Sequence, residues 1–193
     1  DGVTTTGGAI NLLADGDVNF GAAGDVTSTS GDVTVTADAD GDNSGAIAMV
    51  DGTVVNAGSG VIDLDAYGDI ALGSVQTSNN TGSAVTITST TGAVTDAGDT
   101  DREIVADNAN AVVTIDAQDG INGIETDISH LDASVSSAGN ISINELDSVE
   151  LKNVDTDNGS ITVVAGGQIT ATDVDSSATD NGSYAIVLTS TGA

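Results

Sequence analysis

The chain has 193 residues, enough for one ordinary domain or one run of a repeat array, and its 38% apolar content argues against wholesale disorder. Two basic residues, Arg102 and Lys152, against thirty acidic ones give a net charge of -28, which argues against nucleic-acid binding and against anionic membrane surfaces. Without Cys there are no disulfides or thiolate metal sites, and no apolar run approaches the roughly 20 residues of a membrane span.

Aromatic residues are confined to Phe20, Tyr67 and Tyr184. The apolar residues are instead Val, Ile, Leu and Ala, which suit a thin core walled by short strands. Glycine, at 25 residues, supplies turns, and the absence of Pro leaves every backbone N–H free to join a ladder.

In chain order, Asp1 opens directly into repeat-like sequence with no signal peptide, so a mature segment or an excerpt of something longer is expected. The recurring unit is Gly-x-[Ile/Val]-x-apolar. It appears at Gly8-Ala9-Ile10-Asn11-Leu12, Gly31-Asp32-Val33-Thr34-Val35 and Gly60-Val61-Ile62-Asp63-Leu64, and again at Gly139-Asn140-Ile141-Ser142-Ile143 and Gly159-Ser160-Ile161-Thr162-Val163. Alternation of apolar and polar residues predicts a short strand with one buried face.

Ile10 and Val18, Ile62 and Ile70, Val113 and Ile121, Ile141 and Val149, and Ile161 and Ile169 all stand eight positions apart. A further step of five leads to Val75, Val154 and Val174. Polar connections such as Thr77-Ser78-Asn79-Asn80-Thr81 then vary in length. This predicts coils of three short strands with two fixed corners and one elastic corner.

Long strands are expected from Ile10, Val33, Ile62, Val85, Val113, Ile141, Ile161 and Ile186, with a mean step of about 25 residues. Seven to eight such coils make a right-handed parallel β-helix roughly 35 Å tall. A pair of immunoglobulin-like sandwiches is the competing fold, and it would need hairpins and a bulky core plug such as Trp. Residues 1–193 therefore read as a single solenoid domain or segment. Loops are inserted near 38–44, and near 99–110, where Ile104-Val105 looks like an extra apolar pair.

Gly-Asp-[Ile/Val] recurs at Gly16-Asp17-Val18, Gly24-Asp25-Val26, Gly31-Asp32-Val33 and Gly68-Asp69-Ile70. In these turns Asp is expected to bond nearby backbone N–H groups and Gly to supply positive φ. With the Thr/Ser/Asn-rich turns and the scarcity of Pro, Cys and aromatics, the chain resembles filamentous-haemagglutinin-like exoprotein repeats, the β-helical shafts of large bacterial adhesins. The resemblance covers nearly the whole chain and is one of style. It implies an extracellular or cell-surface location and a role as shaft, spacer or filament subunit. The partner would be another copy of the chain or flanking coils; the alternative is an adhesin module holding a glycan or protein through its loops.

Parallel β-helices also carry polysaccharide lyases and hydrolases, which need a basic residue beside carboxylates or a paired carboxylate set. Arg102 and Lys152 lie about two coils apart without a recognisable catalytic setting, so no enzyme is expected. His130 is the only histidine, without a second His or Cys, and reads as an outward strand position.

The sharpest local signal is Asp38, Asp40 and Asp42, alternate carboxylates on a Gly-bearing loop and candidate ligands for calcium. Asn43 and Met49 depart from the EF-hand pattern, and a solvated acidic loop is the plainer reading. Asp63 with Asp65, and Asp155 with Asp157, are weaker versions. Asn158-Gly159-Ser160 and Asn181-Gly182-Ser183 match a glycosylation sequon but read first as turns. The Thr-x-Thr pairs at Thr34/Thr36 and Thr86/Thr88 are interrupted by Asp and Asn at equivalent positions, which argues against an ice-binding array.

Overall fold

A strand that is apolar on one side needs a neighbour to cover it, and a chain that turns in one direction finds that neighbour in its own next coil. The computed structural model describes residues 2–98, 101–177 and 183–192, and among them there is no helix. All strands pair in parallel, forming a β-helix of about eight turns. Antiparallel pairing among the described residues is limited to the isolated bridge Asn158–Ser177, which removes the sandwich alternative.

A coil such as the third contributes Val54–Asn56, Ile62–Ala66 and Ile70–Leu72. The middle strands build a sheet of 9 strands, while the first and third share a sheet of 13. The strand Gly120–Ile128 joins those two faces. Its first residues pair with Ala93–Asp96 and its last with Ile104–Ala106.

Three inward ladders run along the axis. One is Ile10–Val33–Ile62–Val85–Val113–Leu131–Leu151. The second is Val18–Ile47–Ile70–Val94–Ile121–Ile141–Ile161–Ile186. The third begins Val3–Val26–Val55–Val75–Ile104 and then changes character to Thr126–Glu145–Ala165.

These ladders correct the expected series of long strands. Ile141, Ile161 and Ile186 stack on Ile121, not on Val113, whose neighbour above is Leu131. The fused strand Gly120–Ile128 shortens the coil there, and the Gly-x-Ile-x-apolar pattern is the same on every face, so it does not tell one face from another. The second loop is also shorter than expected. Asp99 and Thr100 lie outside the described residues, but Ile104–Ala106 is a regular rung paired with Ser74–Gln76 and Gly120–Ile128.

The Gly-Asp pairs act between coils. Asp17, Asp25, Asp32 and Asp69 each accept, through Oδ1, the backbone N–H of Ala46, Val54, Val61 and Ala93 in the next coil, at 2.9–3.0 Å. Asn140 does the same for Ser160 at 2.8 Å. At a corner the strand ladder lapses, and the side chain supplies the acceptor the ladder no longer provides. None of the four glycines has the expected positive φ. At Gly31 and Gly60 the requirement is closeness: a Cβ on Gly60 would overlap the Gly31 carbonyl, and one on Gly31 the Gly8 carbonyl.

Buried hydroxyls complete the corners. Thr77 Oγ1 donates to the Gly60 carbonyl at 2.6 Å, Ser89 Oγ to Gly68 at 2.8 Å, and Thr156 Oγ1 to Gly139 at 2.8 Å.

Gly60→Ala is expected to cost about 1–3 kcal/mol by overpacking the corner, whereas Gly82→Ala, with nothing near its Cβ, leaves stability within about 1 kcal/mol. Leu64→Ala opens a cavity in a fully buried rung and is expected to cost about 2–5 kcal/mol. Asp32→Ala leaves the Val61 N–H to water and costs about 0.5–1.5 kcal/mol. Chemical denaturation monitored by circular dichroism checks all four.

Candidate functional site

The insertion between Val33–Ala37 and Ile47–Met49 brings the three expected aspartates together. One carboxylate oxygen from each of Asp38, Asp40 and Asp42 lies within 4.8 Å of the others. Asp38 and Asn43 adopt positive φ, 69° and 70°, a conformation that Asp and Asn tolerate better than most side chains. Asp38 Oδ1 accepts the Asn43 N–H at 3.2 Å, and Asp42 Oδ1 accepts the Ser44 hydroxyl at 2.6 Å. The carboxylates thus fold their own loop. Their remaining oxygens face solvent and can hold a hydrated cation.

A second trio, absent from the sequence reading, is Asp107, Asp127 and Asp147, with oxygens within 4.8 Å of one another. Each comes from a successive coil. Burial raises the pKa of Asp127, Asp107 and Asp147 raise it further, and Arg102 opposes the rise. The signal was a constant spacing of twenty positions, which the abundance of Asp elsewhere concealed.

Glutamate distinguishes this side of the molecule. The chain contains four, Glu103, Glu125, Glu145 and Glu150, all between positions 103 and 150. Glu103 and Glu125 stand at equivalent positions on adjacent coils, because Ile104 pairs with Thr126. Glu103 is 0% exposed, and its Oε2 accepts the Glu125 N–H at 2.6 Å. Glu145 occupies an inward rung where the first five coils carry Val or Ile. Its carboxyl accepts the Thr126 hydroxyl at 2.6 Å and the N–H groups of Ile128 and Asp147 at 3.2 Å.

Burial pushes Glu103 up to about 8, with Glu125 and Asp96 adding to the rise, and pushes Glu145 up to about 7 against the bonds it accepts. A groove of about 530 Å³ runs over this region, lined by Ser74, Gln76, Arg102, Glu125, Asn144 and Glu145 among others. The structure thus brings Arg102 beside carboxyls that sequence spacing had kept apart. Glu145, however, spends its oxygens on Thr126 and two backbone amides, which suits a structural post better than a proton donor to a substrate.

Other expected positions fall as follows. His130 faces outward, with Nδ1 at 2.9 Å from the Ala111 carbonyl and Nε2 at 3.4 Å from Glu150. Lys152 is the extra residue at a bulge opposite Leu131–Asp132 and is exposed. Asp63 is paired with Thr34 and Thr86, and Asp116 with Thr88 and Ser134, so the outer face mixes hydroxyls with carboxylates as expected. Burial raises the pKa of Asp63 and Asp116, helped by Asp65 for the first and by Asp132 and Asp155 for the second. In the first sequon Asn158 sits in the isolated bridge; Asn181 and Gly182 of the second lie outside the described residues.

The chain matches no protein-family model, no curated protein and no solved structure.

Glu103 and Glu145 have folded-state pKa values above the ordinary 4.5, so the folded chain holds more protons than the unfolded one between about pH 4.5 and 8. Stability is therefore highest near pH 4.5–5, falls as pH rises through 7 and 8, and levels above that. Glu145→Gln keeps an acceptor for the amides and a donor for Thr126 without a charge. It is expected to raise stability at pH 8 by about 1–2 kcal/mol, with little gain at pH 5, in melts recorded at both pH values.

Proposed function

We propose that this chain is a shaft: a stiff, hydrated β-helical spacer of an extracellular or cell-surface protein that lengthens by adding coils end to end. The observation that carries the reading is continuity. Stacked parallel rungs follow one another from Val3–Thr5 to Ile186–Ser190, and the walls outside them are acidic. Each wall presents Asp, Thr, Ser and Asn to water, and like charge along its length keeps rods apart laterally.

The strand Ile186–Ser190 supports addition at the end. It pairs on one side with Ile161–Ala165, and Ile186 and Leu188 remain 43% and 37% exposed although their register places them over Ile161 and Val163. Another coil, from a flanking segment or a second copy, would cover them and pair with the free strand edge. The resemblance to filamentous-haemagglutinin-like repeats agrees with a shaft.

The groove carries a second reading, a module that binds through its wall. No aromatic residue lines it, which favours a small or ionic occupant over a stacked sugar.

Sedimentation at rising concentration, with electron microscopy of the same samples, tests the shaft. Rods longer than one chain are expected, and the double substitution Ile186→Asp with Leu188→Asp is expected to shorten them to single units. Compact particles at every concentration would sink the end-to-end version.

A further inference from the structure

Two oxygens in the chain present an electrostatic problem that the fold does not solve. Glu103 Oε1 and Glu125 Oε2 are both buried, and neither has a hydrogen-bond partner among the described residues. Their side chains lie within hydrogen-bonding reach of each other on adjacent coils. An ionised carboxylate oxygen only accepts, so two that meet need either a proton or a cation between them.

Among the described residues no basic side chain is seen to act on Glu103. Arg102 bears on Asp127, and Asp96 brings a further negative charge toward Glu103. The remaining oxygen of each carboxyl is already engaged: Glu103 Oε2 with the Glu125 N–H at 2.6 Å, Glu125 Oε1 with the Asn144 amide at 3.3 Å. One oxygen of each carboxyl is thus engaged, and the other is buried without a partner among the described residues.

We propose that a hard divalent cation of the calcium class seats between Glu103 and Glu125 beneath the wall groove. A single shared proton would leave one negative charge buried, whereas a divalent ion neutralises both carboxylates. Calcium takes six to eight oxygen ligands, often with water among them. The groove of about 530 Å³, lined by Glu125 and by the Ser74, Gln76 and Asn144 side chains, lies against the pair and offers further oxygens near it. The placement of the glutamates fits this use. In a chain whose acids are otherwise all Asp, the longer side chain occurs where two coils must reach one point.

The test is calcium titration of the full chain after chelator treatment, by isothermal calorimetry and by thermal melts. Saturable binding and a rise of several degrees in melting temperature are expected for the wild type. Glu103→Gln and Glu125→Gln are each expected to weaken binding at least tenfold. Either glutamine can donate to the opposite carboxylate, so both variants are expected to fold; if Glu103→Gln does not, Glu125→Gln decides alone. The Asp38→Asn, Asp40→Asn, Asp42→Asn triple variant and Asp107→Asn are expected to bind within twofold of wild type. Three results overturn the proposal: no heat and no shift with the wild type, which would leave a pair sharing a proton; binding undiminished in both glutamine variants; or binding lost instead with the Asp38 set or Asp107.

Discussion

A parallel coil cannot satisfy its own backbone. Its N–H and C=O groups point up and down the axis, so each coil depends on the one above and the one below for nearly every hydrogen bond it makes. This constraint sets the rest. Adjacent strands lie about 4.8 Å apart, so whatever sits at a given position in one coil meets the same position in the next. Residues that stack well on themselves, Val and Ile above all, fill the inward rungs. Glycines occur where corners come closest, and Asp or Asn occurs where a corner breaks the ladder and an N–H needs an acceptor.

The same rule governs charge. Outward carboxylates on successive coils are brought close whether or not that is favourable, as Asp116 with Asp132 and Asp155 shows. On most of the wall Thr and Ser are interleaved with Asp, which spaces the charges. At Glu103 and Glu145 the spacing lapses and the groups are also buried, so desolvation and repulsion by neighbouring acids act together. An inward Glu at 145, in a rung that is Ile in the Ile104 coil, exchanges apolar contact for three accepted hydrogen bonds that fix the corner between two coils.

The architecture was legible in the residues because it rests on local alternation and on the absence of Pro, Cys and aromatic bulk. The phase was not. Ile62, Ile70 and Val75 begin three faces of the helix, whereas Val149 and Val154 lie on a single strand, yet both sets show the same step of five between their last two members. Spacing reports where strands begin but not which neighbour they meet, and the fused strand Gly120–Ile128 changed the neighbours. The Asp38 loop was visible because its three carboxylates are adjacent in sequence. Glu103, Glu125 and Asp107, Asp127, Asp147 were not, since they come together only through stacking and stand amid many other acids.

The Asp and Asn caps at the corners contact a main-chain N–H and nothing of the side chain beyond it. Ala46, Val54, Val61, Ala93 and Ser160 all serve equally as donors. At the capped position the next coil is restricted only against proline, while the closest corners also call for glycine. The turns of this rod are interchangeable parts. Duplication or loss of one whole turn alters reach and leaves the joints intact, so a lineage of such proteins can adjust length by recombination without redesigning a core.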